Sequence, residues 1–433
     1  MPSPIAEALD HAKKSGAKAA EALLSQAKGV TLELERGKPT APEPHSDARL
    51  TVRLWVDGGG EGFAQGPPED ATTLVDAALK KAKIAWGDSL AGPVGKLGLA
   101  EAARGIDDRR HEQITTADRQ EALVSAEKGA RDKRIRASGF TYRDERRWRG
   151  YGNSRGVALQ EWSTTYAMAG TIELSDDRGT LTLEDQPASR AFASIASLPY
   201  GAALAARALA LAPTGPTLSG PIRVVLSART AAELVTRLAP AFANLARDEG
   251  WLAAAHRDDR RAFDPRVNLL DDGTLHGALR THAFDDRGVT PIPVALMSDG
   301  RVPAGLIDLL EARHRKLRPT GHWFDGALRS NNLILRGGTR SANAILSELD
   351  GPVLIVDHVY DWAGMNATTG DVRIPVGGAL TRRAKREGAV RRVVLHGNLA
   401  DVLSRVVEVA SDTDRFGYVD ACGLIVDGFT AVG

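Results

Sequence analysis

Hydrophobic and polar positions alternate along this chain with two different periods. Over residues 3–27, Ile5, Ala8, Leu9, Ala12, Ala19, Ala20, Leu23 and Leu24 recur near helical spacing, with Lys13, Lys14 and Lys18 opposite them. That pattern predicts an amphipathic helix, stopped by Gly29. Residues 30–35 and 48–56 alternate as half-buried strands do, joined through Pro39, Pro42 and Pro44 and followed by a glycine turn at 57–60. Residues 69–84 return to the helical period. Residues 86–117, broken by Gly and Pro, read as a linker, and 118–130 as a helix. Period-two alternation then runs from 133 to 184, with turns at 150–154 and 175–179. An alanine-rich stretch at 189–212 predicts one long helix, and the Pro/Gly-rich run at 213–221 a domain boundary. Beyond it lie a short buried strand at 222–226 and a helix at 230–246 that Pro240 kinks or ends. Short strands and turns follow from 265, with helices at 303–313, near 342–349 and at 399–409. No fixed-period repeat is present. The expected class is α+β: a small N-terminal α/β domain (1–90), a strand-rich central domain with a long helix (115–213), and a large mixed, β-rich C-terminal domain (219–433).

Composition narrows the function without naming it. A chain of 433 residues suits two or three domains. With 56 Lys+Arg against 55 Asp+Glu the net charge is +1, so no global basic excess points to nucleic acid. The one cysteine, Cys422, excludes an intramolecular disulfide framework and any multi-cysteine zinc site; its apolar setting predicts a buried, inert thiol. The first 20 residues contain no apolar run of signal-peptide type, and no window reaches 18 consecutive apolar residues. A cytoplasmic location and no membrane span are the expectations.

Four groups of residues invite a chemical reading. Gly152-Asn153-Ser154-Arg155-Gly156 fits the nucleophile-elbow pattern, but the residues after it alternate as a strand instead of opening a helix, so a hairpin turn is favoured. None of the ten histidines stands in H-E-x-x-H; His256 with Asp258 and Asp259, and His276 or His282, are the loop residues from which a non-standard metal site would be built. Gly95-Lys96 lacks the flanking residues of a phosphate loop. Finally, Lys133, Arg134, Arg136, Arg143, Arg146, Arg147 and Arg149 interleave with Phe140, Tyr142, Trp148 and Tyr151. A second basic run joins Arg382, Arg383, Lys385, Arg386, Arg391 and Arg392. Such stripes grip single-stranded nucleic acid when their charge is free. Here Asp132, Asp144 and Glu145 stand among them, and a solvated basic face is favoured.

Several segments together resemble the TldD/PmbA family, over most of the chain from about residue 6 to 433. The Ala19-Ala20-Glu21 helix and two strands are similar to its N-terminal domain. Asn153-Ser154-Arg155-Gly156 resembles its "NS-x-G" turn, and 269–274 with 283–289 its "DD…fDdEGv" stretch. Pro319-Thr-Gly-His322 resembles "sTGn", 332–339 "Nl…pG", Thr368-Thr369-Gly-Asp-Val "TGdfs", and 395–403 the "gNl…l" helix entrance. The family's TldD-like branch carries an HExxxH zinc helix; its PmbA (TldE) branch lacks it and acts as partner subunit. In this chain Arg237, Leu238 and Phe242 stand about where the first His, the Glu and the second His would be, and a cation with two apolar groups cannot hold zinc. Cys422-Gly423 resembles a cysteine near the end of the metal-bearing branch but has no histidines to complete. The chain departs from the PmbA pattern at His322, where Asn is usual, and at Arg287, where Glu is usual. The resemblance implies a PmbA/TldE-like subunit that binds no cofactor itself, with zinc in a TldD-like partner of a heterodimer. Its substrate would be an unfolded or modified peptide, held as an added β-strand. It implies neither nucleic-acid nor membrane binding. Arg143, Arg147, Arg149, Asn153, His322, Asn366 and Thr369 are the expected peptide or partner contacts, the 143–149 segment lining the entrance to a chamber. The partner interface is expected on exposed apolar surface of the C-terminal domain.

Overall fold

A computed structural model describes residues 3–35, 37–95, 105–176, 179–212, 215–243 and 250–433. The expected linker, the 175–179 turn, the 213–221 break, the end of the 230–246 helix and Lys96 fall partly or wholly outside these residues.

The first sheet has eight strands: β1 (Ala19–Glu35), β2 (Lys38–Pro39), β3 (Glu43–Trp55), β4 (Glu61–Gly66), β5 (Ile135–Asn153), β6 (Ala158–Asp176), β7 (Gly179–Asp185) and β8 (Ala188–Ser189). Their order is β4-β3-β1-β5-β6-β7, with β2 beside β1 and β8 beside β6. β1 and β5 pair from Glu21↔Asn153 to Glu33↔Thr141. Residues 1–90 and 115–213 therefore share one sheet instead of forming separate domains.

Side-chain parity divides the two faces of this sheet. Even-numbered Ala20, Ala22, Leu24, Leu50, Val52 and Leu54 pack under α1 (Pro4–Lys14) and α2 (Ala71–Ile84). Tyr142, Tyr166, Met168 and Ile172 pack under α3 (Thr116–Gly129), α4 (Phe192–Ala196) and α5 (Tyr200–Ala210). Odd-numbered Leu23 and Tyr151 turn the other way and meet Ala283, Phe284, Val289 and Leu309 of the C-terminal half.

Local chemistry corrects three expectations here. The first helix begins with Ser3 capping the Ala6 N–H and ends at Lys14; Gly16, at φ +82°, reverses the chain, so 19–24 is strand. Gly29 lies inside β1, where a Cβ would sit 1.9 Å from the Asp144 carbonyl oxygen, so close strand approach fixes the glycine. The alanine-rich 189–212 helix is two helices, split at Pro199.

The second sheet begins at Ser219. Its elements are β9 (Ser219–Leu226), β10 (Leu269–Asp271), β11 (Val294–Met297), β14 (Leu333–Leu335), β15 (Pro352–Val359), β16 (Asp371–Arg382), β17 (Lys385–Asn398), β18 (Val406–Phe416) and β19 (Val419–Val432); β12 (Trp323–Phe324) and β13 (Ala327–Leu328) form a separate hairpin. β19 pairs with both β17 and β9, and β9-β15-β16-β17 completes a closed ring. Against it packs α6 (Ala228–Ala243), which buries Leu234, Val235, Leu238 and Phe242. Pro240 does not end α6; it deprives the Thr236 carbonyl of its helical donor while the helix continues to Ala243. Shorter helices are α7 (Gly250–Arg257), α8 (Leu309–Arg315), α9 (Ala342–Glu348) and α10 (Leu399–Ser404). The expected 303–313 helix starts only at Leu309, where Asp308 caps the Glu311 N–H, and the 399–409 helix gives way at Ser404 to β18.

Among the described residues no helix is long and apolar enough to cross a membrane. Cys422 is buried, and burial pushes its thiol up to about 12. Exposed large apolar side chains among the described residues are Ile84, Trp86, Leu90, Trp162, Leu198, Leu317 and Val432. Most of these precede Ser219, so the expected apolar interface does not stand out on the C-terminal half.

Phe242 is fully buried in the largest core, and Phe242→Ala should cost about 3–5 kcal/mol. Equilibrium denaturation should show this as a lower midpoint; an unchanged midpoint would contradict the packing.

Candidate functional site

The odd-numbered face of the first sheet does not meet the C-terminal half everywhere. Between them lies a cavity of about 580 Å³. Its floor comes from alternate residues of four adjacent strands: Glu21, Leu23 and Ser25 of β1, Asp47, Arg49, Thr51 and Arg53 of β3, Phe63 and Gln65 of β4, and Arg147 and Arg149 of β5. Its roof is His282, Asp286 and the β12–β13 hairpin, Trp323 to Gly326. Cross-strand register places Arg53 opposite Glu21, Arg49 opposite Ser25, and Ser25 opposite Arg149.

Buried ion pairs tie floor to roof. Arg149 donates to Glu161 at 2.8 Å, to Asp286 at 2.5 Å and to the Phe284 carbonyl at 3.2 Å. Glu21 is 3 % exposed and meets Arg287 at 2.7 Å and Arg53 at 3.2 Å, while the Tyr151 hydroxyl donates to it at 3.0 Å. Burial raises the Glu21 carboxyl, opposed by Arg287 and Arg53. Burial would also raise Glu161, but His282, Arg149 and the Ala283 N–H outweigh it and hold that carboxyl at about 2. His282 itself is lowered by burial. Asp285 accepts the backbone N–H groups of Arg287, Val289 and Trp323, and burial pushes it up to about 6. Arg190 is also buried at this joint, without a carboxylate in bonding range among the described residues. It donates to the carbonyls of Thr164 (3.0 Å), Ala278 (3.4 Å) and Leu279, and burial lowers it to about 10.

The residues singled out from sequence separate into three places. Arg147 and Arg149 line the cavity. Asn153 lies beneath it, donating to the Tyr151 hydroxyl (3.1 Å) and the Val94 carbonyl (2.9 Å), so it supports Glu21 through Tyr151. Its Oδ1 also accepts the N–H groups of Arg155 and Val157, and the Ser154 hydroxyl accepts the Ala20 N–H at 3.0 Å. This is a hairpin turn with structural duties. His322 is fully buried behind the roof, 3.2 Å from Asp271. Arg143 is exposed on β5 outside the cavity, 4.0 Å from Glu145. Asn366 and Thr369 lie in a turn elsewhere, with Asn366 Oδ1 accepting the Thr368 and Thr369 N–H groups and Thr369 bonded to Asp371. That turn borders a separate groove lined by Arg237, Asp361, Trp362, Met365 and Ala367.

Other sequence candidates are not assembled. His256 faces the Val302 carbonyl at 2.7 Å, His276 lies against Gly105, and His282 against Glu161. Among the described residues no three His, Cys, Asp or Glu form a group able to hold a metal. The basic stripe is largely committed to acids of this chain: Arg146 to Asp107 and Glu112, Arg147 to Glu145, Arg134 to Asp132. In the second run Arg382 pairs with Glu387, Arg383 with Asp350 and Arg391 with Asp176. Glu21, Arg49, Glu161, Asp286, Trp323 and Phe324 were not anticipated. The alternation of Asp47, Arg49, Thr51 and Arg53 along β3 is the one sequence signal that marks a charged face.

Comparison with known proteins now bears on this geometry. Residues 219–433 match the PmbA/TldA metallopeptidase C-terminal domain. The metalloprotease PmbA of Escherichia coli O157:H7 is 24 % identical over 418 residues, covering 94 % of this chain and 90 % of that protein. The crystal structure of TldE from Thermococcus kodakarensis superposes with TM-score 0.80 at 16 % identity, covering 99 % of this chain and 100 % of that one. The chain belongs to the TldD/PmbA family. It is PmbA/TldE-like, and its α+β fold is shared with a Thermotoga maritima structure at TM-score 0.87 and 20 % identity, with 99 % of both chains covered. Arg287 is the partner of Glu21, and of the three α6 residues singled out from sequence Arg237 faces a groove while Leu238 and Phe242 lie in the core. Arg237, Leu238 and Phe242 offer no lone-pair donor suited to zinc.

Because the Glu161 carboxyl is held below its ordinary value of about 4.3, its stabilising contribution is complete above that value and is lost as pH falls toward 2. Glu161→Gln should remove on the order of 2 kcal/mol from the acid loss of stability in that window. Urea titrations at stepped pH check this; parallel acid limbs for both proteins would contradict it.

Proposed function

We propose that this chain is the non-catalytic, peptide-holding subunit of a TldD/TldE-type metallopeptidase complex acting on unfolded or modified peptides. A TldD-like partner carries zinc and performs the hydrolysis; this chain binds no cofactor and shapes part of the chamber. The observation that carries the reading is the donor chemistry of α6. Leu238 and Phe242 are sealed in the core, and Arg237 lines a groove with Asp361 and Trp362, so the helix is built for packing. The cavity supports the peptide-holding half of the reading. Its floor is a sheet whose edge strand, β4, contributes Phe63 and Gln65 to the lining. An extended segment added at that edge would be held by backbone hydrogen bonds that tolerate varied sequence. A single buried thiol suits a reducing, cytoplasmic setting.

The experiment is co-expression with the HExxxH-bearing relative from the same source. The two chains should purify as a stoichiometric complex, with zinc in proportion to the partner and peptide hydrolysis only when both are present. Stoichiometric zinc on this chain alone, or hydrolysis by it alone, would overturn the proposal.

A further inference from the structure

The cavity above β1 and β3 is lined by charges that mostly neutralise one another. Arg53 is paired with Glu21 and Glu61, Arg147 with Glu145 and Asp47, and Arg149 with Glu161 and Asp286. Asp325 of the roof lies 3.4 Å from Arg329. Arg49 is the exception. It projects from the middle of the β3 row, between Asp47 and Thr51, and among the described residues it has no ion pair. Its cross-strand neighbour is the neutral Ser25, whose hydroxyl already accepts from Arg147 at 2.7 Å. Across the cavity, the buried indole N–H of Trp323 has no acceptor among the described residues. Phe63, Trp323 and Phe324 supply aromatic wall. The lining thus combines one uncompensated guanidinium with aromatic surface, inside a volume typical of sites for small ligands.

We propose that this cavity binds a carboxylate carried by a short peptide, with Arg49 as the residue that recognises it. A guanidinium presents two parallel N–H donors that match the two oxygens of a carboxylate, and a partly enclosed, aromatic-walled site strengthens that charge-assisted pair. The remaining ion pairs fix the cavity's shape, and each acid facing inward lies within ion-pair distance of an arginine, which most of them share with a second acid. Neutral Thr51 and Gln65 lie next to Arg49 on the same face and suit the peptide's amide groups. The inference rests on the reading that this chain holds peptide, and it names what part of the peptide is held. Two sources carry the same chemistry: a free C-terminus and an acidic side chain.

Calorimetric titration of the full chain at low salt separates them, using three probes of one apolar tetrapeptide sequence. The first has a free C-terminus, the second is C-terminally amidated, and the third is amidated with one residue changed to Glu. Binding of the first but not the second assigns the site to C-termini; binding of the third but not the second assigns it to acidic side chains. In either case Arg49→Gln should weaken the carboxylate-bearing probe about tenfold or more, and Arg49→Lys should restore part of the loss. Arg49 is exposed, so both variants should keep the parent's unfolding midpoint, which is measured alongside. Equal affinity for all three probes, no binding of either carboxylate probe, or an Arg49→Gln variant that binds like the parent would overturn the proposal. None of these outcomes touches the zinc and co-purification measurements, so the subunit reading stands or falls separately.

Discussion

The joint between the two halves depends on charged side chains of the first sheet that take a second partner from the C-terminal half. Arg149 rises from the first sheet and finds Asp286 in the C-terminal half, along with Glu161 on the neighbouring strand. Arg287 descends from the C-terminal half to Glu21. Arg149, Glu161 and Glu21 are buried, so losing a partner leaves a stranded charge at greater cost than an exposed pair returns. The pairing therefore fixes where the halves sit, and the cavity is the space left around it.

The two faces of one sheet carry different functions. Its even-numbered side chains are apolar and covered by helices, which stabilises the N-terminal half independently of anything above it. Its odd-numbered side chains are largely charged along β3 and β5, and apolar at Leu23 and Tyr151, where Phe284 packs. The same period of two that builds the core thus also spaces guanidinium groups about two residues apart across the cavity floor. Asn153 shows how far this organisation reaches: a turn residue at the end of β5 positions Tyr151, and Tyr151 positions Glu21.

Much of the fold was legible in the sequence because it rests on local patterns. The strands at 48–56 and 222–226, the 69–84 and 118–130 helices and the turn at 153–156 follow from periodicity and turn chemistry. The helix expected over 3–27 failed because Ala20 and Leu24 satisfy both a four-residue and a two-residue spacing, and only pairing with β3 and β5 decides between them. The division at residue 115 failed for a related reason, since pairing between β1 and β5 crosses about a hundred residues of sequence and leaves no local mark. At the site, Arg147 and Arg149 were singled out as part of a basic stripe, whereas the acids that neutralise them lie in segments distant in sequence. Arg49 stood in plain view on an alternating strand, but its lack of a partner is a property of the assembled cavity.

Arg190 gives the joint a mechanical character. Its charge is offset by carbonyl dipoles from both halves, Thr164 on one side and Ala278 and Leu279 on the other. Carbonyl contacts of this kind are short-ranged and directional, and a planar guanidinium meets them only in one orientation. A small sliding of one half past the other would break several together and leave a buried cation with nothing to replace them. Such a seam does not stretch: it resists small shear and then yields all at once, making the two halves a single brittle body.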